Sequence, residues 1–332
     1  MKKIIYAVGA CLILLTGPAT LCQAGQLPVG PVPLDCDRAC LESLTDDYLK
    51  ALVAHDVSRL PLSADVRYSE NEQFMQIGDG FWHTASAIGN YRHYYADAEA
   101  GQAAFMGTML EGANKVLYAL RIRIQLGRIT EVETAVYRPG GAPFDGVADL
   151  DKMGRPEDIW LDQVPAGKRA TRQQLIAVAN AYFEGLQNND GKGYYPFTDD
   201  CNRLENGYAT TNNPGKFPSR SGFDAFALDC KKQFESGYYR VVTRIHHRRF
   251  PVVDVERGVV YAYAIFDHAG NVHKYKLTDG REVDMSFFSR PSSIQATEAF
   301  LIEDGRIRRV EMVGSSAPYH TNPPWDGGLS GK

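Results

Sequence analysis

The apolar positions of the chain recur. Residues 41–56 (LESLTDDYLKALVAHD) and 175–190 (LIAVANAYFEGLQNND) carry large side chains at matching places, all at an offset of 134: Leu41 with Leu175, Leu44 with Val178, Tyr48 with Tyr182, Leu49 with Phe183 and Leu52 with Leu186. The spacing i, i+3, i+7, i+8, i+11 puts these five on one face of a helix. Asp56 and Asp190 close the two helices. After a gap, ADVRYSEN and DDCNRLEN end in Glu-Asn pairs, Glu70-Asn71 and Glu205-Asn206. A second echo lies downstream, where Gly127-Arg128-Ile129 with Val132-Glu133 resembles Gly305-Arg306-Ile307 with Val310-Glu311. Two echoes in one order predict two copies of one domain.

Between the echoes, the first copy predicts a strand over 62–69, a turn at Gly78-Asp79-Gly80 and a helix over 85–95 through Ile88, Tyr91 and Tyr95. Strands over 103–111, 116–126 and 129–137 follow, the last two a hairpin about Gly127. That hairpin sets Arg121 against Glu133 and Arg123 against Glu131, read as a solvated ionic ladder. Residues 139–168 hold four prolines, five glycines and no period, and predict an interdomain linker. Asp35 or Asp37 caps the first helix, and Thr171 with Gln174 makes a capping box for the second. The second copy then predicts a long loop over 201–218, a helix over 223–234, strands over 238–247 and 258–268, and a polar insertion over 272–283. A last hairpin, 297–303 with 307–312, turns on Asp304-Gly305 and sets Glu298 opposite Glu311. Helices segregated on one face of an antiparallel sheet make an α+β fold, with domains over 35–138 and 169–320.

Outside these domains, Lys2-Lys3 precedes an apolar run, Ile4 to Leu15, and small residues end at Ala24. This predicts a signal peptide over 1–24, with lipid attachment at Cys22 as the rival reading. The apolar run is too short for a membrane span, and no other stretch is long enough. Export places the protein in the periplasm or outside the cell. Cleavage leaves Cys36, Cys40, Cys201 and Cys230. An even number in an exported chain predicts disulfides, Cys36 with Cys40 and Cys201 with Cys230. A net charge of −4 without a basic block argues against nucleic acid. With 18 Tyr and 15 Phe, the chain can line pockets that combine apolar walls with polar handles, or simply fill cores.

The helix segment Tyr48-Leu49-Lys50-Ala51-Leu52-Val53-Ala54-His55-Asp56 is similar to the first helix of steroid isomerases. With the order of elements, it makes the chain resemble a tandem of nuclear-transport-factor-2-like domains, the superfamily of SnoaL-like polyketide cyclases, ketosteroid isomerase and scytalone dehydratase. Gly78 to Trp82, Arg203 to Gly207 and Arg248 to Asp254 also resemble an exported tandem family without assigned activity. The resemblance implies two cone-shaped domains, each a curved antiparallel sheet with helices on its concave face around an apolar cavity.

Carried across, it makes Tyr48 and Tyr182 hydrogen-bond donors to an oxyanion, and Glu70 and Glu205 the bases. The sequence departs from the isomerases in using Glu for Asp and in lacking a clear second acidic donor. Dehydratase-like sites add a His-Asp pair, for which His246 or His83 is a candidate. Asn206, Arg248, Asn71, Trp82 and His83 are the expected substrate-binding residues. Alternatively, each Glu-Asn pair stabilises a turn. No His-Glu-x-x-His, Cys-x-x-Cys, calcium loop, phosphate loop or nucleophile elbow occurs, so neither metal nor cofactor is expected. The expected function is an exported, metal-free acid–base enzyme of lyase, dehydratase or isomerase type, acting on a small apolar or phenolic molecule. The alternative is an exported small-molecule-binding protein without catalysis. The assembly is expected to be a monomer with an internal pseudo-dimer, or a homodimer.

Overall fold

In the computed structural model, residues 30, 35–140, 145–215 and 223–325 are described. The segment expected to be a signal peptide lies outside them. In the first half, α1 (Arg38–Val53) leads to β1 (Leu62–Glu70), β2 (Gln73–Met75), β3 (Ala85–Asp97), β4 (Gln102–Glu111), β5 (Asn114–Gln125) and β6 (Arg128–Tyr137). After α2 (Val147–Met153), the second half runs α3 (Arg172–Gln187), β7 (Phe197–Glu205), β8 (Tyr208–Ala209), α4 (Cys230–Glu235), β9 (Arg244–Asp254), β10 (Val259–His268), β11 (Lys274–Lys276), β12 (Glu282–Asp284), β13 (Ser292–Glu303) and β14 (Arg306–Ala317).

The two six-stranded sheets have one strand order, β2-β1-β6-β5-β4-β3 and β8-β7-β14-β13-β10-β9. Neither is purely antiparallel, which corrects the antiparallel sheet expected from sequence. Each is a meander whose last strand takes a parallel neighbour from the chain's opening segment, β1 beside β6 and β7 beside β14.

Side-chain alternation divides each sheet into two buried faces. On one face, α1 packs Leu41, Tyr48, Leu49 and Leu52 against Phe105, Tyr118, Leu120 and Val132. In the second half, α3 packs Leu175, Tyr182, Phe183 and Leu186 against Val260, Ala262, Phe300 and Val310. The opposite faces meet each other in a third core, Tyr91, Met106 and Leu117 with Tyr261, Tyr263 and Leu301. The order of layers is therefore helix, sheet, sheet, helix. Asp37 caps α1 through the Cys40 amide (2.9 Å), and the Thr171–Gln174 box caps α3. Both disulfides, Cys36–Cys40 and Cys201–Cys230, are formed.

Several elements differ from expectation, each for a local reason. Residues 85–97 form β3 rather than a helix. Register shifts after Ala85 and Ile88 break the period of two and leave an accidental helical spacing. The 201–205 stretch belongs to β7 rather than a loop, its inward position filled by the buried Arg203 instead of an apolar side chain. Residues 238–241 are a 3-10 turn, and the strand runs from Arg244 through Pro251, which an edge strand tolerates. Only 225–227 and 230–235 are helical in the stretch expected over 223–234. The presumed linker contributes Val147, Leu150 and Trp160 to the core between the sheets.

Arg121 and Arg123 do face Glu133 and Glu131, but the ladder is not solvated. Arg121, Glu131 and Glu133 are buried where the halves meet. Glu298 faces Met312, not Glu311, because an irregularity between Leu301 and Ile302 slips the register by one. A one-residue slip moves a side chain to the other face. Glu311 thus points into the core between the sheets, where it accepts from Tyr91 Oη (3.0 Å) and lies 2.8 Å from His93 Nδ1. Further contacts between the halves include Arg38 with Asp254 and Arg172 with Asp97. Among the described residues, no helix is long and apolar enough to cross a membrane.

Candidate active site

On the α3-facing side of the second sheet, strand register lines up three side chains. Glu205 of β7 pairs with Met312 of β14, and Met312 with Glu298 of β13. Arg203, two residues before Glu205, shares that face. The guanidinium of Arg203 is fully enclosed, with its centre 5.8 Å from the Tyr182 ring, 6.0 Å from Phe234 and 5.1 Å from Tyr239. Cation–π attraction supports a desolvated guanidinium by roughly 2 kcal/mol per good contact.

Arg203 Nη2 donates to Glu205 Oε1, which also accepts from Thr210 Oγ1 (3.2 Å). Arg203 Nε and Nη1 have no partner of hydrogen-bonding geometry among the described residues. Leaving buried donors unmet costs about 1–3 kcal/mol each. Glu298 is the complement of Arg203. The side chain is 1% exposed, and neither carboxyl oxygen has a hydrogen-bond partner among the described residues. Burial, reinforced by the nearby Glu205 charge and opposed by Arg203, pushes its pKa up to about 8. Glu298 therefore keeps its proton at neutrality.

Burial also raises the Tyr182 hydroxyl well above its usual value, against the pull of Arg203. Tyr239 is raised in the same way and donates to Gln233 Oε1 (2.6 Å). Glu205 is the member nearest solvent, its side chain 27% exposed.

The first half places Tyr48 and Glu70 equivalently but leaves them satisfied. Tyr48 Oη accepts from Trp82 Nε1 (3.2 Å) and lies 3.4 Å from Tyr118 Oη. Glu70 accepts from Tyr68 Oη (3.0 Å) and the Phe81 amide (2.7 Å), while burial raises its pKa.

The two asparagines have one structural task. Asn71 Oδ1 accepts from the Val136 amide (2.8 Å), and Asn206 exchanges two bonds of 2.9 Å with the backbone of Gly314. Each side-chain amide adds a rung to the parallel ladder just past the strand end, so the turn reading of the Glu-Asn pair describes both.

Three other expected residues lie elsewhere. Arg248 is held by Glu184, Gln187 and Asn180 along α3 and does not reach Glu205. His246 lies on the opposite sheet face with Asp267, 3.3 Å from its Oδ2, and burial lowers its pKa. The residue alternation that takes Ile245 into the helix-side core turns His246 away from it. His83 is largely exposed beside Asp79.

Sequence reasoning therefore missed Arg203 as a site residue and set Glu298 against the wrong partner. Arg203 stands two residues before Glu205, a spacing that signals a shared face only once 201–205 is a strand rather than the expected loop. The one-residue slip on β14 that takes Glu311 away from Glu298 and sets Met312 opposite it carries no sequence signal.

Residues 168–314 match the family described as a Domain of unknown function (DUF8021). No curated protein matches the chain. Similar solved structures include a cystatin-like-fold protein of unknown function from Methylobium petroleophilum, at 13% identity and TM-score 0.28, covering 32% of this chain and 82% of that one. An NTF2-like protein of unknown function from Cytophaga hutchinsonii is 8% identical with TM-score 0.25, covering 30% of this chain and 89% of that one. A third, NTF-2 like and from Burkholderia xenovorans, is 10% identical with TM-score 0.25, covering 31% and 87%.

Proposed function

We propose that the chain is a tandem of two cone-shaped α+β domains and that the second is an acid–base catalytic unit for a small apolar or phenolic molecule. The observation that carries this reading is Glu298, a buried carboxyl without a hydrogen-bond partner among the described residues, on the same sheet face as Arg203 and raised by burial to about 8. A general acid or base works best when its pKa lies near the operating pH. The minor fraction of Glu298 that is ionised at neutrality removes a proton from carbon next to a carbonyl or phenol-type oxygen, then returns it as the acid. Arg203, whose Nε and Nη1 meet no acceptor of hydrogen-bonding geometry among the described residues, stabilises the oxyanion formed in between. Tyr182 and Tyr239 pack their rings around the Arg203 guanidinium, and the partly exposed Glu205 accepts from it. This is chemistry of the isomerase or dehydratase kind.

The basic and then apolar N-terminus and the two disulfides support export to the periplasm or beyond. The first half, with its carboxylate and tyrosine satisfied, serves as a structural partner.

The test is solvent deuterium uptake. The full protein is incubated in deuterium oxide with a panel of small cyclic ketones, enones and phenols, and label is read by mass spectrometry. Uptake that Glu298→Gln abolishes, with the fold intact, supports the reading. Retained uptake in that variant overturns it. Ligand binding without exchange in the wild type replaces it with a pure binding role.

A further inference from the structure

A second site lies where the halves meet, away from Glu298. A cavity of about 500 Å³ opens there, and five arginines line it: Arg67, Arg121 and Arg123 from the first sheet, Arg248 and Arg249 from β9. Their carboxylate partners number three. Glu131 takes Arg67 (2.7 Å), Arg121 (2.9 Å) and Arg123 (3.3 Å). Glu133 takes Arg121 (3.0 Å) and Arg249 (3.1 Å), and Glu184 takes Arg248. Two positive charges remain uncompensated. Glu72 nearby does not offset them, because burial, reinforced by Glu133, raises its pKa to about 8 and keeps it neutral.

Donors are in surplus as well as charge. Arg123 Nε and the 91%-buried Arg249's Nε have no hydrogen-bond partner among the described residues. A network serving only to join the halves would be expected to balance its charges and satisfy its donors, since buried ions left unpaired are costly. The floor is equally particular. Arg67 and Arg121 lie over the Trp325 ring at 4.7 and 5.0 Å, and Trp325 is fixed through Nε1 to Ser69 Oγ (2.8 Å). Ile176 and Phe250 add apolar wall.

We propose that this cleft binds a small organic dianion with an apolar or aromatic body, its oxyanion groups taken by the arginine forks and its body by Trp325 and Phe250. Guanidinium forks match carboxylate and phosphate oxygens in pairs, so both groups fit. The volume suits one molecule of modest size.

Titration calorimetry on the full chain tests this with phthalate, phenyl phosphate, benzoate, inorganic phosphate and phenol. The expected result is 1:1 binding of phthalate, phenyl phosphate or both, at least tenfold tighter than benzoate and inorganic phosphate, with no binding of phenol. Which of the two dianions binds tighter separates a carboxylate from a phosphate ligand. Binding should weaken as salt rises. Joint replacement of the two most exposed arginines, Arg67→Gln with Arg123→Gln, should cost at least tenfold in affinity with little change in melting temperature. If that pair disturbs the fold, Arg123→Gln alone should still weaken binding. Glu298→Gln should leave this binding unchanged, which separates the cleft from the proton-transfer site. Failure of both dianions to bind, equal binding of phenol, or unaltered affinity in folded arginine variants would overturn the proposal.

Discussion

The same row of the sheet carries different chemistry in the two halves. In the first, Glu70 pairs in register with Thr134, and Thr134 with Leu120. In the second, Glu205 pairs with Met312, and Met312 with Glu298. Two residues upstream of each first carboxylate, Tyr68 stands where Arg203 stands. One backbone plan therefore presents a tyrosine–glutamate pair closed by an amide, or an arginine with two glutamates and unmet polar atoms. The first arrangement is complete within itself. The second is costly unless something enters to satisfy it, and groups held at such a cost cluster at functional sites.

The largest expected effect breaks that comparison at its sharpest point. Glu298→Gln should lower proton-transfer turnover by roughly 10²–10⁴-fold, the usual contribution of a positioned acid or base. Glu70→Gln, at the matching place in the first half, should leave turnover within about twofold. The isotope-exchange rate of both variants decides. Equal losses would make the halves equivalent and sink the asymmetric reading.

How far the sequence foretold this contrast depends on which link is considered. Helix faces, hairpins and disulfides follow from local periodicity and cysteine parity, and these were legible: Tyr48 and Tyr182 are buried at matching places, and Asp304-Gly305 turns the last hairpin. The sheets' parallel pairs, the strand at β3 and the displacement of Glu311 from opposite Glu298 depend on bulges and long-range register, which leave no periodic trace. Arg203 was hidden because an inward arginine looks like a break in a strand rather than part of one. The arginine cleft was hidden because its members, within 67–123 and 248–249, become neighbours only when the two sheets meet.

The next effect concerns pH. Glu298 is raised from 4.5 to about 8 on folding, so the native state holds a proton that the unfolded chain releases. Its contribution to stability is complete below about 4.5 and is lost as pH rises through about 8. Each unit of difference corresponds to about 1.4 kcal/mol, so the limit is several kcal/mol, reduced by any relaxation around the carboxyl. Glu72, also raised to about 8, acts in the same direction. Urea midpoints measured from pH 4.5 to 8.5 should fall, and Glu298→Gln should flatten part of the slope, with Glu72→Gln removing more. A slope unchanged in the double variant would refute both assignments.

The disulfides differ between halves as loop closures. Cys201–Cys230 spans 29 residues and Cys36–Cys40 only 4. Loop entropy assigns about 3–4 kcal/mol to the first and about 2 to the second. Denaturant unfolding of the two Cys→Ser double variants should show the larger loss in the second half. The opposite ranking would mean that helix bracing at α1 outweighs chain entropy.

The smallest effect tests where the halves remain alike. Asn71 and Asn206 both have positive φ, 46° and 50°, and both extend a parallel ladder through a side-chain amide. Replacement by Ala removes two side-chain hydrogen bonds to the facing strand, together worth about 1 kcal/mol, and puts Ala in the left-handed region at a further cost of roughly 1–2 kcal/mol. Asn→Gly removes only the first term. The backbone bonds are matched in the two halves, and Asn71 also accepts from Gln295 Nε2 (3.0 Å), so Asn206→Ala should lose about 2–3 kcal/mol, Asn71→Ala at least as much, and the Gly variants roughly half that. Thermal or urea unfolding of the four variants reads the result. A much larger loss of turnover than of stability at Asn206 alone would show that its amide reaches substrate, and the shared turn would then conceal a second asymmetry.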